Sequence, residues 1–131
     1  MIEMKKLIAV MAVLFSVNAG AWTGTGNDRI NGARDYIRFL NGDTTNLDYA
    51  EVRNWQGTVA GLSSVFDETA YRHSICYPEK ANLQQLAEIA ANYLIDHPED
   101  RAMDLNPLVW KSHLDAFGRQ SDESCWRNAT E

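Results

Sequence analysis

The chain has almost no long apolar sequence. The one uninterrupted run, Leu7–Val17 (LIAVMAVLFSV), is too short to cross a bilayer as a helix, which takes about 20 apolar residues. A stable transmembrane anchor is therefore not expected. Lys5 and Lys6 precede the run, and Asn18-Ala19-Gly20-Ala21 follows it with small residues. That order is the order of a secretory signal peptide with an A-x-A cleavage pattern. Residues 1–21 are read as a cleaved leader and residues 22–131 as one helical domain, without stable membrane insertion after cleavage. No cysteine follows Ala21 directly, which argues against a lipoprotein. In a two-membrane bacterium the destination is the periplasm.

Positive charge is also scarce. Twelve Lys and Arg face eighteen Asp and Glu, a net of −6. The leader holds Glu3, Lys5 and Lys6, so the remainder stands at −7. Nucleic-acid binding needs clustered Lys and Arg to displace counterions, so a nucleic-acid partner is not expected. An acidic domain suits a basic protein partner, whose complementary field speeds encounter. The same charge can also serve solubility alone.

Cysteine is limited to Cys76 and Cys125. An even count in an exported chain favours a disulfide. It would close a loop of about 50 residues, for which the chain-entropy model gives roughly 4 kcal/mol. Two free thiols, or a catalytic thiol, are the alternatives.

Recognisable catalytic signatures are missing. His73, His97 and His113 with the two cysteines match no zinc-site spacing, and no metal site is expected. Cys76 with His73 has the composition of a nucleophile and base, but export works against a reduced thiol. No G-x-S-x-G elbow is present, and Gly24-Thr25-Gly26 is too short for a phosphate loop. Asn128-Ala129-Thr130 is a glycosylation sequon in form only. No catalytic residue, no cofactor and no enzymatic activity are expected.

What is present is helical periodicity. Trp22–Gly26 reads as a leader. The first helix opens near Asn27 or Asp28, with Ile30, Ala33, Tyr36, Ile37 and Leu40 as its stripe. Asn41-Gly42-Asp43 ends it. Thr44-Thr45-Asn46 offers caps for a second helix running to about Tyr71, with Leu47, Val52, Trp55, Val59, Leu62 and Phe66 apolar. Gly57 and Gly61 share a face, and either admit a close helix or mark a weak stretch. Asn82 caps a third helix with Leu83, Leu86, Ala87, Ala90, Tyr93 and Leu94 on one face, stopped by Asp96-His97-Pro98. After a charged connector, Asn106-Pro107 starts a fourth, whose apolar residues are Leu108, Val109, Trp110, Leu114 and Phe117, and Gly118 ends it. With no strand-like alternation, the expectation is an all-α fold, a small bundle of about four helices with one disulfide.

The stretch Cys76–Phe117 resembles the Rap1a/Tai family of immunity proteins. The resemblance rests on Cys76, Pro78, Leu83, Leu86, Tyr93, Leu94, His97, Pro98, Glu99, Arg101, Leu108, Ala116 and Phe117, and is sharpest in the Tyr-Leu-x-x-His-Pro-Glu run. The chain departs from the family in placing Gly118–Ser124 before its last cysteine and in lacking cysteines in its first two helices. The resemblance implies an exported helical protein, often a homodimer. It implies binding to a cognate peptidoglycan amidase effector of a type VI secretion system and blocking of that enzyme's cleft. The connector His97–Asn106 is the expected blocking element, and Glu99, Asp100, Arg101 and Asp104 are its expected partner-binding residues. The rival reading is an acid-stress periplasmic chaperone, exposing apolar surface as carboxylates protonate.

Overall fold

The computed structural model describes residues 24–68 and 75–119. Within them the chain forms α1 (Gly26–Leu40), α2 (Tyr49–Glu68), α3 (Leu83–Asp96) and α4 (Leu105–Phe117), with a 3-10 turn at Pro98–Asp100 between α3 and α4. The described residues hold no strand; one isolated antiparallel bridge joins Thr25 to Asp104. The protein is a small all-α bundle, as its periodicity predicts. The leader 1–21, His73, Cys125 and the sequon lie outside the described residues, as does Tyr71, to which α2 was expected to run. No helix among the described residues is long and apolar enough to cross a membrane.

α3 is the centre of the bundle. Ala87 and Ala91 are fully buried and Ala90 nearly so, and their small side chains let α1 and α2 pack close. Tyr36 of α1, Trp55 and Val59 of α2, Leu94 of α3 and Leu105, Leu108 and Val109 of α4 close the core around them. Each fully buried large apolar side chain contributes about 1.5–3 kcal/mol. The Trp55 indole donates to the Ala87 carbonyl at 2.9 Å, which fixes α2 against α3.

Local chemistry sets the helix ends, and several differ from expectation. α1 opens two to three residues early, because its cap is Thr25 rather than Asn27 or Asp28. The Thr25 hydroxyl accepts from the Asp28 N–H, and the Asp28 carboxylate accepts from the Thr25 N–H at 2.9 Å, a complete capping box. α2 is opened by Asp48, whose carboxylate accepts from the Ala50 N–H at 3.0 Å and the Glu51 N–H at 3.3 Å, rather than by Thr44–Asn46. Asn82 caps α3 as expected, accepting from the Gln85 N–H at 2.8 Å, but Leu83 stands 51% exposed rather than on the core face. α4 opens at Leu105 behind Asp104, so Pro107 falls within the first turn, where a missing N–H costs nothing. Gly118 ends it with φ +76°. Among the described residues no helix packs against Gly57 or Gly61: a methyl group on either would meet open space.

Candidate partner-binding connector

The segment from His97 to Asp104 crosses from the C-terminus of α3 to the N-terminus of α4. Two helix ends need partners there, and the connector supplies both. The last turn of α3 leaves its carbonyls without intrahelical donors. Arg101 folds back over them, donating from Nε to Leu94 O at 2.8 Å and from Nη2 to Ile95 O at 2.7 Å. Its charge also suits the negative end of the helix dipole. The first N–H groups of α1 lack acceptors for the same reason. The Gly26 N–H donates to Met103 O at 3.0 Å, and the Asn27 N–H to Arg101 O at 2.8 Å. The Leu105 N–H donates to Gly24 O at 2.9 Å, which completes the contact.

The approach is close because Gly26 has no side chain. A methyl group there would sit 2.8 Å from Leu94 Cδ1 and Leu108 Cδ1, and 2.9 Å from Arg101 Cα. Glycine is required by the space, not by its backbone angles.

Asp100 is the second internal brace. Tyr93 Oη donates to Asp100 Oδ2 at 2.9 Å, and Lys111 Nζ donates to the same oxygen at 3.0 Å. The Lys111 hydrogen bond, then the Tyr93 one, holds the Asp100 carboxyl below the ordinary carboxylate range. Asp100 correspondingly raises the Lys111 ammonium, again mainly through their hydrogen bond. His97 stacks on Tyr93 with ring centroids 3.8 Å apart, and its Nδ1–H donates to Tyr93 O at 2.9 Å.

The four expected partner-binding residues therefore divide. Asp100 and Arg101 turn inward and hold the connector's shape. Glu99 and Asp104 are exposed, together with Pro98, Ala102 and Met103. The outward surface is acidic with one methionine at its edge. Gly26, Tyr93 and Lys111 were not anticipated as supports. Tyr93 had a signal, being one helical turn before His97. Lys111 had none, since it meets Asp100 only through the fold.

The other residues with chemical potential sit apart. His113 is fully buried, and its Nε2–H donates to Leu86 O at 2.9 Å while Tyr77 Oη donates to Nδ1 at 2.7 Å. Burial pushes the imidazole's pKa down, so the ring is held neutral. Among the described residues no three His, Cys, Asp or Glu side chains converge as a metal site would require. Cys76 is buried, and its N–H donates to Gly118 O at 2.9 Å, so the chain leaving α4 passes beside it. No family model, curated protein or solved structure compared with the chain matches it.

Proposed function

We propose that this protein is exported to the periplasm and acts as an immunity protein. It binds a peptidoglycan-cleaving amidase effector of a type VI secretion system and blocks that enzyme's active-site cleft. The inhibitor performs no reaction, and needs only a surface complementary to its target. The observation that carries the reading is the division of labour in the connector: Asp100 and Arg101 brace it from within, and Glu99 and Asp104 face outward. A loop ordered before binding loses little entropy when it binds. The resemblance to the immunity family is sharpest at Tyr93, Leu94, His97, Pro98 and Glu99, which form and flank the connector, and it extends to Arg101, which braces it. The chain's negative charge suits a basic target.

Two further features belong to this proposal. Cys76 pairs with Cys125, a reading supported by the position of Gly118 beside Cys76 and by the lack of a free cysteine among the described residues. The protein also works as a homodimer, as the family resemblance implies.

The test is to purify the protein and the amidase encoded beside its gene, mix them, and follow peptidoglycan cleavage. Loss of amidase activity at stoichiometric protein is the expected result. An unchanged rate against every neighbouring candidate enzyme would rule the proposal out.

A further inference from the structure

At the far end of α4 from the connector, one imidazole joins three parts of the fold. His113 of α4 is fully buried, and its Nε2 lies 2.9 Å from Leu86 O of α3. A carbonyl only accepts, so Nε2 carries the hydrogen. In the neutral ring Nδ1 is then an acceptor, and the Tyr77 hydroxyl donates to it at 2.7 Å. Tyr77 belongs to residues 75–78, a non-helical strap in which Ile75 and Cys76 are buried. Besides that hydrogen bond, Tyr77 packs edge-to-face on His113 and against Phe117, with ring centroids 5.5 and 5.6 Å apart. The bond from the Cys76 N–H to Gly118 O ties the strap's backbone to the end of α4.

The arrangement is built for the neutral ring. A protonated imidazole carries hydrogen on both nitrogens, so the Tyr77 hydroxyl could no longer donate to Nδ1. The charge would also stand unpaired, since no carboxylate among the described residues bonds the ring. Tyr77 is the titratable group facing it from the strap, and Glu79 and Lys80 just beyond are exposed. Glu88 of α3 acts on Tyr36, Lys111 of α4 bonds Asp100, and Asp115 of α4 is exposed. α2 brings Ala60, Ser63 and Ser64 to this corner, none of them charged. Burial accordingly lowers the imidazole's pKa, and proton uptake requires the ring to reach water. Leu86 and His113 are each fixed in a helical ladder, whereas the strap lies outside any helix. Tyr77 and Pro78 also border an open cavity of about 310 Å³, which gives them room to move. We propose that His113 is a pH-sensitive latch: proton uptake lifts residues 75–78 off α4 and bares Ile75 and Phe117, while the four helices and the connector stay assembled.

The test is native-state hydrogen exchange on the 15N-labelled protein, with rates corrected for the intrinsic effect of pH. The Cys76 amide, bonded to Gly118 O, reports the strap, and the Ala90 amide within α3 reports the bundle. Lower protection is expected at Cys76 than at Ala90. The Cys76 opening should be insensitive to low urea, because little surface is exposed in it. Its protection should fall by about tenfold between pH 6.5 and 5, within the tenfold per pH unit that one proton allows. In His113→Gln that fall is expected to vanish. Equal protection at the two amides, with the same urea dependence, would overturn the inference, since the strap would then open only with the whole fold. So would a fall that persists in His113→Gln. If that variant does not fold, the wild-type ring decides. Its nitrogen signals should show hydrogen on Nε2 and titration below the ordinary 6.5. Titration at or above that value would overturn the inference.

Discussion

The turn between α1 and α2 and the connector between α3 and α4 are both short, charged and polar, yet they are built differently. In the first turn the hydrogen bonds are local, and Leu47 is the residue that packs against the core. Arg38 bonds Asp35 at 3.2 Å, Asp43 at 3.1 Å and the Thr45 carbonyl, and Asp43 Oδ1 accepts from the Thr45 N–H at 3.1 Å. All of residues 41–46 are exposed. The α3–α4 connector is tied to α1, α3 and α4 together, through Gly26, Asn27, Leu94, Ile95 and Lys111. A locally bonded turn can loosen without disturbing the core. A connector that completes the ends of two helices cannot, and it is held in one shape.

This contrast can be broken from either side. The largest effect is expected from Gly26→Ala. The new methyl meets the Arg101 backbone as well as two leucines, and overpacking of this kind costs about 3 kcal/mol. Gly42→Ala in the first turn has open space and only its φ of +80° to oppose it, about 1 kcal/mol. Chemical denaturation of the two variants checks the ranking; equal losses would mean that the connector is no tighter than the turn.

Arg101→Met keeps the aliphatic stem but strips the donors from the Leu94 and Ile95 carbonyls. Hydrogen bonds from charged groups suggest a loss of about 2 kcal/mol. Glu99→Lys, outward and exposed, is expected to leave the denaturation midpoint where it is. A variant pair that behaves alike would remove the distinction between bracing and presenting residues.

The core histidine gives a smaller, pH-dependent effect. Burial lowers the His113 pKa in the folded protein from its ordinary value of 6.5. The unfolded chain therefore takes up the proton first. Stability is complete above about pH 6.5 and falls as pH drops from there, by at most about 1.4 kcal/mol per pH unit. His113→Gln lowers stability overall but should flatten that slope between pH 6.5 and 5. Parallel profiles would show that His113 is not the titrating group. A steep loss confined to lower pH would instead favour the acid-stress chaperone reading.

Helix number and most of the core face were legible in the sequence, because both follow from spacing along one segment. Asn82 and Gly118 were read correctly for the same reason. The Thr25-x-x-Asp28 capping box was equally local, and was obscured by reading Gly24–Gly26 as part of a leader. What could not be read were the meetings of distant segments. The crowding at Gly26 depends on Leu94, Leu108 and Arg101. Tyr77 and Leu86 reach His113 across the fold. Gly57 and Gly61 illustrate the converse: the spacing that puts two glycines on one face says nothing of whether another helix faces them. At the candidate site, the charges were visible in the sequence, but their inward or outward direction was set by helix ends that only the fold brings together.

The most direct test of the central claim compares wild type with a Glu99→Lys, Asp104→Asn double variant in binding to the amidase encoded beside its gene. The account predicts tight binding by wild type and at least tenfold weaker binding by the variant, with the same denaturation midpoint for both. Equal binding by the two proteins, or none by wild type, would contradict it.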